Sequence, residues 1–244
     1  EPWMDLERVD RIVADTNALA PDLILLLGDY IAHHRFVLGK IPHAEWARVL
    51  SRLKAPLGVH AILGNHDWWD DPDAARRGQG PVRVQLALEG AGIPVYENAA
   101  RRLYKDGRAF WLAGLGDQWA LRVLEKGWRR RRLPTRGVDD LPATMAQIVD
   151  DAPVLLMAHE PDIFPRVSER VAVTFCGHTH GGQVAFAGFA PIVPSRYGRR
   201  FAYGHVVEEG RHLIVSGGLG CSGMPLRFGV PPEIVLVELG ASHA

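Results

Sequence analysis

Apolar positions recur at helical spacing from Asp5 to Leu19, where Leu6, Val9, Ile12, Val13 and Leu19 predict a helix with one face toward a core. Beyond Pro21, the unbroken run Leu23-Ile24-Leu25-Leu26-Leu27 predicts a strand covered on both faces, as in parallel sheets. The alternation then repeats. Pro42 to Leu53 reads as a helix, Gly58 to Leu63 as a strand and Val82 to Glu89 as a helix. Leu103-Tyr104-Lys105 and Ala109 to Leu115 read as a hairpin turning at Asp106-Gly107. Asp117 is expected to cap a helix from Gln118 to Lys126, and a further helix is expected over Pro142 to Asp150. Ala152 to Ala158 and Val171 to Phe175 are two more buried strands. The last third changes character: short runs at Val184 to Phe186, Ala202 to Val207, His212 to Val215 and Ile234 to Glu238 predict an antiparallel or mixed second sheet packed on the first.

What the apolar runs lead into is more informative than the runs themselves. The first ends in Gly28-Asp29, the second in Gly64-Asn65-His66-Asp67, the next in His159-Glu160-Pro161-Asp162, and Val171 to Phe175 leads into Cys176-Gly177-His178-Thr179-His180-Gly181-Gly182-Gln183. Ligands in open α/β sheets bind beyond the carboxyl ends of the strands. Taken singly, Asp29 reads equally well as a helix cap, and a lone His-x-His is weak. Taken together, Asp29, Asn65, His159, His178 and His180 offer one carboxylate, one amide oxygen and three imidazoles at matching positions. A mixed N and O set without thiolate suits divalent Mn, Fe, Zn or Ni in a catalytic site. Asp29 is well used if it bridges two ions, so that a shared hydroxide attacks phosphorus in line. His66, oriented by Asp67, would be free to protonate the leaving oxygen. Trp68 and Trp69 are candidates to wall the pocket.

Composition narrows the partners. Lys plus Arg and Asp plus Glu stand at 28 each in 244 residues, so no nucleic acid is expected, and the basic run Arg129 to Arg132 reads as a solvated end beside a loop at 129 to 141. Cys176 and Cys221 are too few for a disulfide framework, and Cys176 reads as a buried strand residue. No apolar run approaches the ~20 residues of a membrane span. The chain as given is expected to be soluble, cytoplasmic or tethered to a bacterial membrane.

In these motifs, and in their order, the chain resembles the calcineurin-like metallophosphoesterases. The resemblance implies a four-layer α/β/β/α sandwich of two mixed sheets, spanning 1-244 as a single domain. It implies two divalent metal ions, with Asp29 bridging them, Asn65, His159 and His178 completing one site, His180 joining the other, and His66 with Asp67 serving the leaving group. One departure stands out: the family's opening Asp-x-His, which supplies two ligands to the ion that His180 binds, occurs nowhere in the 244 residues. The expectation is that the first strand and this motif are missing from the chain. The tail, with Gly217-Gly218-Leu219-Gly220 and Pro225 to Ile234, is similar to a bacterial branch of cell-envelope phosphoesterases and UDP-diacylglucosamine hydrolases, often tethered by an N-terminal membrane segment. Arg227 in that tail is a candidate substrate-phosphate ligand. The implied substrate is a small phosphodiester, pyrophosphate or phosphomonoester, such as a nucleotide-sugar lipid or cell-envelope phosphoester. The rival reading is an inactive binding module that keeps the metallophosphoesterase fold.

Overall fold

The computed structural model describes residues 4–32, 36–122 and 135–240. The chain opens on α1 (Leu6–Ala18), whose first turn is capped by the Asp5 carboxylate accepting from the Arg8 N–H at 2.7 Å. There follow β1 (Ile24–Leu26), α2 (His43–Leu50), β2 (Val59–Ala61), α3 (Asn65–Trp69), α4 (Pro72–Arg77) and α5 (Arg83–Gly90). The hairpin β3 (Ala99–Lys105) and β4 (Arg108–Gly114) turns at Asp106 and Gly107, both at positive φ, as the Asp-Gly pair predicts. After the short pair β5 (Leu121–Arg122) and β6 (Thr135–Arg136) come α6 (Leu141–Met145), β7 (Val154–Met157), β8 (Val171–Cys176), β9 (Gly204–Glu208) and β10 (Arg211–Val215).

Two sheets face each other. The larger runs β3-β4-β7-β8-β10-β9, with β4, β7, β8 and β10 mutually parallel and an antiparallel strand at each edge. The smaller is the parallel pair β1-β2, extended by a bridge from Ala61 to Val95. Period-two alternation along β7 sends Leu155 and Met157 into the layer between the sheets, where they meet Ile62, Val173, Phe175 and the β1-side residues Leu23, Leu25 and Leu27. Val154 and Leu156 point the other way, onto Leu141, Ile163 and Phe164. The far side of β1-β2 is covered by Trp46, Trp68, Val84 and Leu88 from α2, α3 and α5. Both strand faces are therefore buried, which explains the unbroken apolar runs and gives the expected α/β sandwich.

Four expectations are corrected. The late strands do not build a sheet of their own, because β10 pairs in parallel with β8 and so extends the large sheet. Val184 to Phe186 makes only isolated bridges, and Ile234 to Glu238 pairs with no strand among the described residues, reaching the inter-sheet layer through Val237. No helix begins at Gln118, since Asp117 accepts from the Trp119 N–H two residues on and the chain then enters β5. Helix α6 stops at Met145 because the next side chains are committed to the β3-β4 hairpin: Gln147 accepts from the Ala100 N–H, and Asp150 accepts from the Trp111 indole at 2.8 Å. The basic run 129–132, and residues 123–134 as a whole, lie outside the described residues.

Candidate metal centre

The loops after β1, β2, β7 and β8 meet at one end of the sandwich. Contact between the first two is close enough to dictate glycine. A Cβ on Gly28, at φ +93°, would stand 2.4 Å from the Gly64 nitrogen. One on Gly64 would stand 2.3 Å from Asp29 Oδ1 and 2.6 Å from His159 Cε1. Asp67 then ties these loops together. Its Oδ2 accepts the N–H groups of Asp29 at 2.9 Å and Gly64 at 2.8 Å, and its Oδ1 accepts that of Tyr30 at 2.8 Å. Asp67 was expected to orient His66; its two oxygens instead hold the backbone on which Asp29 and Asn65 sit.

The ligand atoms of Asp29, His159 and His178 lie within 4.8 Å of one another. Asn65 joins them, its Oδ1 3.1 Å from His178 Nδ1. His159 is aimed by its other nitrogen, which meets the Leu27 carbonyl at 2.6 Å, and its Nε2 stands 3.2 Å from Asp29 Oδ2. His180 is outside that cluster and faces Arg227, whose Nη2 is 3.2 Å from His180 Nδ1. Asp29, His178 and His180 all carry positive φ (60°, 66° and 53°), a conformation that costs energy in residues with a Cβ and is concentrated at functional sites. Thr179 holds the last loop in shape through its hydroxyl, which donates to the Ala202 carbonyl at 2.6 Å.

The surroundings fit a cation. His178 Nε2 is buried without a hydrogen-bond partner, so a donor atom has been desolvated with nothing from the protein to satisfy it. Burial, then the neighbouring His159, pushes His178 down to about 3, and burial, then Arg227, pushes His180 down to about 4. Both are neutral imidazoles at neutral pH, the form that binds metal. Burial works against the charged forms of Asp29 and His159, yet their mutual attraction wins. Asp29 is held well below the usual carboxylate range and His159 is raised to about 10, so this pair holds a proton that a bound cation would displace. Burial, with Asp29 beside it, raises Asp67 to about 7.

His66, in the first turn of α3, donates its N–H to Asp29 Oδ1 at 2.9 Å, and its half-buried ring lies 5.0 Å from that of Trp69. Trp69 in turn donates its indole N–H to the Trp119 carbonyl, and the Trp119 ring meets His178 edge-on at 4.6 Å. Of the two candidate tryptophans, Trp69 stands beside His66, whereas Trp68 is wholly buried beneath it. Arg227 donates to the carbonyls of Gly220 and Gly217, both at 2.7 Å, besides facing His180.

Sequence reasoning passed over one pair. Asp117 and Glu160 are buried, their ligand atoms lie within 4.8 Å of one another and of one on His159, and each retains an unpartnered oxygen. Burial first, then repulsion from Glu160, raises Asp117 well above the carboxylate range. The available signal was the placement of Glu160 directly after a buried strand and beside His159.

A family model described as calcineurin-like phosphoesterase matches residues 4–182. The chain is 29% identical over 249 residues to the Bacillus subtilis (strain 168) protein called uncharacterized metallophosphoesterase YkuE, covering 99% of this chain and 76% of that one. It is 32% identical over 241 residues to phosphodiesterase YaeI of Escherichia coli (strain K12), covering 93% of this chain and 75% of that one. A Danio rerio relative named transmembrane protein with metallophosphoesterase domain is 25% identical over 244 residues, covering 98% of this chain and 50% of its own length. No helix among the described residues is long and apolar enough to cross a membrane.

Proposed function

The chain belongs to the calcineurin-like phosphoesterase family and is a metal-dependent hydrolase of phosphoesters, and from this footing we propose that its substrate is a phosphodiester, cleaved at the centre formed by Asp29, Asn65, His159 and His178. The observation that carries the reading is the meeting of Asn65 Oδ1 and His178 Nδ1 at 3.1 Å beside Asp29 and His159, a mixed O and N donor set brought together from four separate loops. The name of the Escherichia coli relative favours a diester over a monoester.

Asp29, Asn65, His159 and His178 would hold one divalent ion, and Asp29 with His180 supplies part of a second set. The family's Asp-x-His is not among the 244 residues. Bound divalent ions supply Lewis-acid stabilisation of phosphate charge and a nucleophilic hydroxide at neutral pH. The chain's own residues do the rest. His66, fixed by its N–H on Asp29 and accessible beside Trp69, delivers a proton to the leaving oxygen. Asp67 keeps Asp29 and Asn65 in register. Trp69 and Trp119 form an apolar wall that limits water around the leaving group.

The test is hydrolysis of bis(p-nitrophenyl) phosphate after chelation and after return of Mn2+. Turnover that disappears with the chelator and returns with the ion supports the reading. Absence of turnover with Mn2+, Fe2+, Zn2+ and Ni2+ alike would contradict it.

A further inference from the structure

Directly after the loop that carries His178 and His180, the chain makes a tight hairpin. Phe186 and Phe189 exchange both backbone hydrogen bonds at 2.9 Å, with Ala187 and Gly188 at positive φ between them, the geometry of a two-residue turn. The two phenylalanines are not inside anything. Phe186 is 61% exposed and Phe189 51%, and Ile192, three residues further along the chain, is 78% exposed. A second segment brings Leu226 and Phe228 to the same surface. The Ala185 N–H donates to the Phe228 carbonyl at 2.7 Å, the Phe228 N–H donates to the Gln183 carbonyl at 3.0 Å, and the Phe186 and Phe228 rings lie 4.8 Å apart. Leu226 and Phe228 are each about half exposed. A contiguous aromatic and aliphatic surface of this kind marks an interaction site.

Charge selects the partner. Between Gln183 and Val207 the sequence holds Arg196, Arg199 and Arg200 and no aspartate or glutamate, and from Ser216 to Pro232 it holds Arg227 and again no acid. Arg200 is spent on Glu208, but Arg196 and Arg199 are exposed, and the Arg199 guanidinium lies 4.2 Å above the Phe189 ring. We infer that this face, built on Phe186, Phe189, Ile192 and Phe228 and rimmed by Arg196 and Arg199, docks the protein on an anionic lipid bilayer. The rings enter the boundary between headgroups and acyl chains, and the guanidinium groups stay at the lipid phosphates. The hairpin and its aromatic partner are held by backbone hydrogen bonds, so little ordering is needed on docking. The face grows out of the segment that carries His180 and Arg227. Docking there presents the metal centre to phosphoesters at a membrane surface.

Vesicle flotation tests this on the wild-type chain, with pure phosphatidylcholine vesicles and with vesicles in which a third of the lipid is phosphatidylglycerol. The chain should float with the anionic vesicles, and salt should weaken the association. Phe186→Ser with Phe189→Ser should reduce partition about tenfold or more. Arg196→Gln with Arg199→Gln should abolish the preference for phosphatidylglycerol. Turnover of a soluble diester should be unchanged in both double variants, which shows that they are folded. As a second readout, Phe189→Trp should give a blue-shifted emission on addition of anionic vesicles. Equal flotation of the wild type and the phenylalanine variant would overturn the inference, as would no flotation at all. A wild-type dimer that the phenylalanine variant turns into a monomer would also overturn it, because a second copy would then cover this face.

Discussion

The backbone N–H of Asp29 donates to Asp67 Oδ2 at 2.9 Å, and the same oxygen accepts the Gly64 N–H, so one buried carboxylate closes the gap between the loops after β1 and β2. Asp67→Asn leaves one oxygen for three donors and sets an amide NH2 against a backbone N–H. The variant should lose about 2–4 kcal/mol of stability, the range for breaking a buried charged hydrogen-bond network. Urea denaturation measures this, and a loss below about 0.5 kcal/mol would show that Asp67 is not holding the loops.

Gly64→Ala places a methyl group where Asp29 Oδ1 and His159 Cε1 now stand. The loops must part, so retained metal should fall by about tenfold or more, while the far-UV spectrum stays close to wild type because the sheets are untouched. Elemental analysis after dialysis checks it. Wild-type metal content in this variant would mean that the close approach of the two loops is not needed.

His66→Ala separates leaving groups. An alkyl diester needs a proton on its departing oxygen, and its turnover should fall by about 10²–10⁴. A p-nitrophenyl ester, whose leaving group departs as an anion, should lose much less, with metal content unchanged. Equal losses on both substrates would remove His66 from the proton transfer.

His60 gives a pH prediction away from the metal centre. It is buried at 3% exposure with its ring nitrogens 2.9 Å from the Tyr96 hydroxyl and the Leu57 carbonyl, and burial lowers its pKa from 6.5. The unfolded chain takes up this proton at a higher pH than the folded one, so stability falls as pH drops below about 6.5, by at most about 1.4 kcal/mol per pH unit. His60→Gln should be less stable at pH 7 and should show a shallower fall between pH 7 and 5. An unchanged slope would assign the acid sensitivity to other groups.

The meeting of these side chains was legible because a buried strand followed at once by Asp29, Asn65, His159 or His178 leaves polar groups that need partners, and four such ends in series point to a common one. The interior strands were legible because both of their faces are covered. Helix ends were not, since Gln147 and Asp150 take hydrogen bonds from β3 and β4, and no local pattern announces those long-range partners. Nor was sheet membership of the last strands, as β10 reaches β8 through pairing that periodicity does not encode. Asp67 shows the limit within the site. Its proximity to His66 in sequence suggested an orienting role, while its three hydrogen bonds run to backbone on two loops.

The most direct measurement is bound Mn2+ per chain, by elemental analysis after equilibrium dialysis, for the wild type and for Asp29→Asn, His159→Ala and His178→Ala, with His205→Ala on the exposed β9 as a control. Wild type and control should retain metal equally, and each ligand variant should retain about tenfold less or lower still. Metal bound equally by all five proteins, or by none, would contradict the assignment of this centre.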